Sequence, residues 1–355
     1  MQGWIDGVLD RNWESDVDGT VRFALIGLGW WTTDVALPAI ANSDNCETTA
    51  LISSSTEKAA SFADTSGIET AMSYEEFHEG TDSDRYDAIY IGTPNATHLE
   101  FASTAAELGK SVLCEKPMES TVERAERMVE RCESTATPLM IGYRMQTDPL
   151  VQRAREMIAN GVIGDPVSAH GQNSQPLLEM IPNPDQWRLN PELTGYGTSV
   201  MDLGIYSINT TRFLLDTDPV AVQAQMHSSH EAFEGLADER SASIIQFGDC
   251  QLVSTSSQHA QEDTRLTITG TEGQLELRPA FHGDCRLRVS RGDTTITAET
   301  DAVDAEYETT ELFDYFADRV LAERSVGPDG RHGLTDMRTI EAIHQSAATN
   351  ERIEL

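Results

Sequence analysis

At 355 residues the chain is long enough for two domains with separate cores. It shows no apolar run of membrane-spanning length and no charged-then-apolar export signal in its first twenty residues, so a soluble cytoplasmic protein is expected. The net formal charge of −34, with Lys only at 58, 110 and 116, argues against nucleic-acid binding and for a salt-loaded cell interior in which the self-repulsion is screened.

Five scattered cysteines (Cys46, Cys114, Cys132, Cys250, Cys285) form no CxxC pair, so neither a disulfide framework nor a zinc site is expected. His227 and His230 lie three apart but have no further ligand nearby, and no metal is expected there.

Residues 1–20 form an arm with Trp4, Ile5, Val8, Leu9 and Trp13 at near-helical spacing. The first strong strand covers 21–26 and runs into Gly27-Leu28-Gly29, followed by a helix to Ile40. A strand over 48–52, a helix over 57–64, a strand over 88–91 and a helix over 98–108 follow. Then come a strand over 112–114, a helix over 122–134 and a strand over 139–141. Alternation of this kind predicts a doubly wound parallel (Rossmann) α/β sheet over 21–143.

Beyond that the pattern changes. A helix over 150–160 precedes strand-like runs at 221–226, 241–247, 251–258, 265–269, 274–278 and 286–289, with one helix at 200–215. Serial strands predict an α+β second domain with a large, open, mainly antiparallel sheet over 144–355. Helices at 309–323 and 336–350 are candidates to pack back on the first domain.

The strand–Gly27-Leu28-Gly29–helix unit has the form of a pyrophosphate cradle, with a glycine for the tight turn and another for close backbone approach. Thr32 stands where the usual third glycine would be. Trp30 and Trp31, which open the helix, are grouped with the loop as cofactor-facing residues. At the end of the second strand, an NAD enzyme carries a carboxylate for the ribose hydroxyls. Here Ser53, Ser54 and, further on, Lys58 stand instead, which suits the 2′-phosphate of NADP; Ser54 and Glu57 also have the spacing of a capping box. Thr93-Pro94-Asn95 with His98, and Glu115-Lys116-Pro117, follow later strands at the carboxyl edge, where the nicotinamide half of a cofactor belongs. On a helix, Asp202, Tyr206 and Asn209 share one face and offer a carboxylate, a phenol and an amide to a polyhydroxylated ligand.

Together with Gly142-Tyr143-Arg144, these motifs resemble the glucose–fructose oxidoreductase and inositol dehydrogenase family in order and spacing over about residues 21–355. Inositol dehydrogenase-like members have His where this chain has Tyr206. Tyr there resembles the branch of glucose–fructose oxidoreductase, dimeric dihydrodiol dehydrogenase and NADP-linked aldose dehydrogenases such as xylose dehydrogenases.

The resemblance implies Lys116 as the cation that favours the Tyr206 phenolate, Tyr206 as base and Asp202 as the residue that orients a sugar. It further implies Arg144 at the cofactor or substrate edge, and a homodimer or homotetramer built through the open sheet, whose bare face is expected to be apolar. Trp187 and Arg188 are candidates to wall the sugar site, and Asn209 to add a hydroxyl contact. The expected activity is oxidation of an aldose, D-xylose ahead of D-glucose, at C1 to the lactone. The alternatives are an oxidoreductase that never releases its NADP, a trans-dihydrodiol dehydrogenase, and a nucleotide-sensing regulator.

Overall fold

A computed structural model describes residues 13, 17–282, 285–299 and 305–355. Most of the proposed N-terminal arm lies outside these; Trp13 packs edge-on against Tyr315 at 5.5 Å between ring centroids. The described chain divides into two units: residues up to Arg144 with Ala305–Leu334, and Met145–Asp304 with Thr335–Leu355.

The first unit holds β1 (Val21–Ile26), a helix that is π-wound over Thr32–Ala36 and α-wound as α1 (Leu37–Ala41), β2 (Cys46–Ser53) and α2 (Thr56–Ser66). It continues through β3 (Thr70–Ser73), α3 (Tyr74–His78), β4 (Ala88–Ile91), α4 (His98–Glu107), β5 (Ser111–Cys114), α5 (Val122–Ser134) and β6 (Leu139–Ile141). Its strands lie in the order β3-β2-β1-β4-β5-β6, all parallel. The central strands are buried along their length, as the continuous apolar runs of β1 and β4 require of a sheet covered on both faces.

The second unit contains α6 (Pro149–Ala159), β7 (Pro166–Pro176), α7 (Leu177–Met180), α8 (Pro191–Thr194) and a helix that is π-wound over Val200–Gly204 and continues as α9 (Ile205–Leu215). Seven strands follow: β8 (Ala221–His227), β9 (Arg240–Phe247), β10 (Cys250–Ser257), β11 (His259–Gly270), β12 (Gly273–Leu277), β13 (Arg286–Arg291) and β14 (Thr294–Glu299). Last in chain order come α10 (Ala305–Leu321), which belongs to the first unit, then α11 (Gly330–Thr349) and β15 (Ile353–Glu354). The sheet order is β14-β13-β12-β11-β7-β10-β9-β8-β15, antiparallel throughout except for the parallel β7–β10 pair.

The second domain is therefore not one continuous stretch from residue 144. Phe313 and Phe316 of α10 are fully buried in the β1–β2 core, Phe313 edge-on to Phe23 at 5.1 Å. Truncating a buried ring of this kind costs about 3–5 kcal/mol, enough to hold the helix in the first unit.

One face of the large sheet is covered by α9, which comes so close that a Cβ at Gly171 would lie 2.4 Å from Ser207 Oγ. The other face is open, but it is not the large apolar patch expected. Its exposed positions are mostly Gln, Ser, Thr, His and Arg, with Ile244 and Val253, paired in register, as a small apolar island. None of the four adjacent strands β7, β10, β9 and β8 contains a single carboxylate, in a chain with 59 acidic residues.

Candidate active site

In the first unit, Gly27 ends β1 at φ +90°, a left-handed conformation that favours glycine. A Cβ there would meet Thr93 Cγ2 at 2.5 Å and the Gly92 carbonyl oxygen at 2.8 Å. Gly29 is exposed, and a Cβ on it would meet nothing within 4 Å. The loop thus leaves open space beside the N-terminus of the following helix, a fit for a dinucleotide pyrophosphate.

The missing third glycine is compensated. Thr32 is fully buried, and its Oγ1 sits 2.5 Å from where a Cβ on Gly92 would be. The close approach usually made at the third glycine is made here by a glycine at the end of β4.

Trp30 and Trp31 diverge. Trp30 is 49% exposed at the loop, whereas Trp31 lies 5.1 Å beneath the Arg144 guanidinium. Arg144 itself is buried and ion-paired with Glu308 at 2.7 Å, so it braces α10 instead of reaching out to a cofactor as expected.

At the end of β2, Ser53 is buried and Ser54 exposed. Ser55, not Ser54, caps α2 by accepting from the Lys58 N–H, which replaces the proposed Ser54–Glu57 capping box. The Lys58 ammonium donates to the Leu28 carbonyl at 2.6 Å. Its positive charge is therefore held between the β2 corner and the glycine loop.

The remaining carboxyl-edge loops are tied together from within. His98 is fully buried, with its ring nitrogens 2.8 Å from the Thr93 carbonyl and 3.2 Å from the Met118 carbonyl. It shapes the loops, and the expectation that it contacts the cofactor is corrected. Thr93 Oγ1 accepts from Thr97 Oγ1 at 2.8 Å, fixing the loop that carries Pro94 and the buried Asn95.

Glu115 accepts from Tyr90 Oη at 2.8 Å and from the Lys116 N–H at 3.2 Å. Burial, with the Glu115 carboxylate beside it, holds the Tyr90 hydroxyl well above its usual range, so it stays protonated and donates. Past Lys116 and Pro117, the buried Glu119 pairs with Arg124 at 2.8 Å and accepts from the Leu99 N–H at 3.2 Å. These contacts pin the Lys116 loop between α4 and α5; sequence reasoning missed Glu119.

In the second unit, the π-turn places Asp202 one turn before Tyr206. Asn173 Nδ2 donates to the Leu203 carbonyl within that turn at 3.2 Å. Single π-turns of this kind recur at functional sites. Asp202 Oδ2 accepts from Arg188 Nε and from Gln258 Nε2, each at 3.0 Å. The Arg188 guanidinium lies flat over Trp187 at 4.5 Å. The Tyr206 ring packs near Phe281 at 5.6 Å and His282 at 5.1 Å between centroids.

Asn209 does not join them. It is buried; its Oδ1 accepts from Gln146 Nε2 at 2.9 Å, and its Nδ2 donates to Asp336 Oδ2 at 2.7 Å. Arg212 completes that internal network on Asp336 at 2.7 Å, so the proposed sugar contact of Asn209 is corrected to a structural one.

The helix is anchored by a residue that the sequence did not flag. Asp238, fully buried, accepts from the Thr198 N–H at 2.7 Å and the Val200 N–H at 2.8 Å. Desolvation pushes its carboxyl up to about 6, against the opposing effect of those amides. His344, 3.8 Å from it, is pushed down to about 4 by burial.

A glycine-loop Rossmann unit joined to a sheet domain that offers a carboxylate and a phenol defines a dinucleotide-dependent oxidoreductase. Residues 21–143 match the oxidoreductase family with an NAD-binding Rossmann fold, and 151–276 match the GFO/IDH/MocA C-terminal domain; the chain belongs to this family. It is 48% identical to the D-xylose 1-dehydrogenase [NADP(+)] of Haloarcula marismortui, over 97% of this chain and 96% of that one. It is 29% identical to D-xylose 1-dehydrogenase (NADP(+)) 2 of Haloferax volcanii, over 94% of this chain and all of that one. Among solved structures, the aldose-aldose oxidoreductase of Caulobacter crescentus superposes with a TM-score of 0.87 at 30% identity, covering 95% of this chain and all of that one.

Proposed function

We propose that this protein is an NADP-dependent aldose 1-dehydrogenase that oxidises an aldose, D-xylose ahead of D-glucose, at C1 to its lactone. The observation that carries the reading is the 48% identity, over nearly the whole chain, to a protein named for that reaction. The β2 corner supports the cofactor half: Ser53, Ser54 and the Lys58 ammonium suit a 2′-phosphate that a carboxylate would repel.

When bound, the nicotinamide supplies the hydride acceptor. As hydride leaves C1, the C1 hydroxyl gives up its proton to Tyr206. A phenol is a poor base at neutral pH unless a cation favours its anion, and Lys116 is assigned that role. Asp202, fixed by Arg188 and Gln258, accepts hydrogen bonds from the sugar, with Trp187 as the apolar wall. A second reading, in which NADP stays bound between turnovers, is favoured by the likeness to the aldose-aldose oxidoreductase. Dialysed protein that still shows nucleotide absorbance would select it.

We assign the protein to the cytoplasm of a salt-loaded cell, where its charge is screened. Its partner on the open sheet face is a second copy of the chain. The freedom of four adjacent strands from carboxylates supports this, because the solvated surface of so acidic a chain would otherwise carry them.

Tyr206→Phe keeps the ring and removes the base, and Lys116→Met removes the cation. Each is expected to lower kcat by ~10²–10⁴-fold with NADPH affinity retained, and the losses should not multiply because both act on one proton transfer. Near-normal turnover in Tyr206→Phe would dismiss this assignment and turn attention to Asp202.

A further inference from the structure

Gln258, in the bend between β10 and β11, is a polar residue with no solvent exposure at all. Its backbone N–H lies 3.0 Å from the Glu239 carbonyl and 3.1 Å from Ser199 Oγ, so the main chain is held on two sides. The side chain is held in a single sense. Gln175 Nε2 donates to Gln258 Oε1 at 2.7 Å, which turns Nε2 toward Asp202, where it donates to Oδ2 at 3.0 Å. Arg188 Nε reaches the same oxygen at 3.0 Å.

Two donors from different elements converging on one carboxylate oxygen fix both the position and the rotation of that carboxylate. Arg188 is fixed in turn by stacking on Trp187. Among the described residues, Nε is the only part of its guanidinium that meets a protein acceptor, and the side chain keeps 18% exposure.

We propose that Gln258 is a positioning residue of the sugar subsite: it locks Asp202 and Arg188 into one donor–acceptor edge that reads a pair of neighbouring ring hydroxyls. One hydroxyl of a vicinal diol donates to the Asp202 carboxylate, and its neighbour accepts from the Nη groups of Arg188. A sugar hydroxyl can do either, and a partly buried, charge-assisted contact of this type discriminates against an analogue that lacks it. The proposal deepens the sugar-dehydrogenase reading and rests on it.

The test uses the full chain in concentrated KCl. Wild type is compared with Gln258→Met, which keeps volume and loses the donor, on D-xylose and its 2-, 3- and 4-deoxy forms. Wild type is expected to lose at least tenfold in kcat/KM at one ring position or more. In Gln258→Met that penalty shrinks to about threefold or less, and KM for xylose rises at least tenfold while kcat falls less, because the interaction belongs to ground-state binding. Arg188→Lys, at a part-exposed position, supplies the same reading if Gln258→Met does not fold. An unchanged deoxy-sugar penalty in a folded variant with unchanged NADPH affinity overturns the proposal.

Calorimetric binding of 1,5-anhydroxylitol, the pyranose ring without its anomeric hydroxyl, separates the subsite from the reaction. Binding that is lost at least tenfold in the variants, by a wild type that oxidises no aldose, retains the subsite and sinks the function. Turnover of aldoses with equal binding in all variants retains the function and sinks the subsite.

Discussion

Replacing Gly92 by Ala tests whether the glycine requirement of the cofactor loop has moved to β4. The backbone at Gly92 is not left-handed, so alanine can adopt it, and the cost is steric alone. The new methyl would stand 2.5 Å from Thr32 Oγ1 and 3.1 Å from Tyr90 Cε1, about 1 Å short of ordinary contact at the first. Neither side can yield easily. Gly92 N–H is bonded to the Ile26 carbonyl at 2.9 Å, and Thr32 is a fully buried β-branched residue inside a helix.

Overpacking of this kind costs about 1–3 kcal/mol, and the upper half of that range is expected. The displaced loop should also lose NADPH affinity by about tenfold, or ~1.4 kcal/mol. Thr32→Ala removes the clashing oxygen, which has no hydrogen-bond partner among the described residues, and improves helix propensity; alone it should be neutral or stabilising. In the double variant the Gly92→Ala cost should fall to about 0.5 kcal/mol, a coupling of ~1.5–2.5 kcal/mol. Urea unfolding in fixed concentrated KCl, with NADPH titration by fluorescence, measures both. Strict additivity of the two substitutions would refute the compensation argument.

Other outcomes follow from the same structure. His344, held near 4 against an unfolded value near 6.5, contributes stability that is full above about pH 6.5 and is lost as pH falls toward 4. The stability advantage of wild type over His344→Asn should therefore shrink by about 3 kcal/mol between pH 7 and pH 4, and a pH-independent difference would contradict the assigned burial effect. Ser53→Asp, beside the proposed 2′-phosphate, should lower the NADP-to-NAD ratio of kcat/KM by about tenfold or more; an unchanged ratio would put the phosphate elsewhere. Ile244→Glu with Val253→Glu places carboxylates on the bare sheet face, and light scattering at high salt should show the mass falling to that of a monomer. A wild type that is already monomeric would remove the reason for the face.

Long apolar runs and helix periodicity carried most of the fold. β4 and β6 and the helix α5 lie where the pattern places them because each is a continuous buried run or a clear amphipathic stripe. The short edge elements β3 and α3 escaped notice, being only four and five residues long. The π-turns at 32–36 and 200–204 are equally invisible, because an inserted residue per turn leaves no signature in a 3.6-residue period.

At the candidate site, Lys116, Asp202 and Tyr206 stand out in the sequence by their local motifs. The internal partners of His98, Arg144 and Asn209 have no local signal: a polar side chain near a motif looks like one that faces a ligand, and the buried partner each meets is brought in from elsewhere in the chain. Gln258 had no local signal, since a glutamine in a bend between strands looks like any solvent-facing turn.

The near-exclusion of lysine gives the surface an unusual chemistry. Lys110 rests its ammonium on the Tyr86 carbonyl at 2.9 Å, Lys58 rests on the glycine loop, and Lys116 follows the half-buried Glu115 just past β5. No other side-chain amine exists in the chain. An acylating label, a cross-linker or an activated resin that targets amines therefore meets only three side-chain handles, and two of them, Lys58 and Lys116, are those proposed for the cofactor corner and the proton-transfer pair. Amine coupling, which on most enzymes decorates the outside at random, is on this one expected to fall largely on the residues proposed as its machinery.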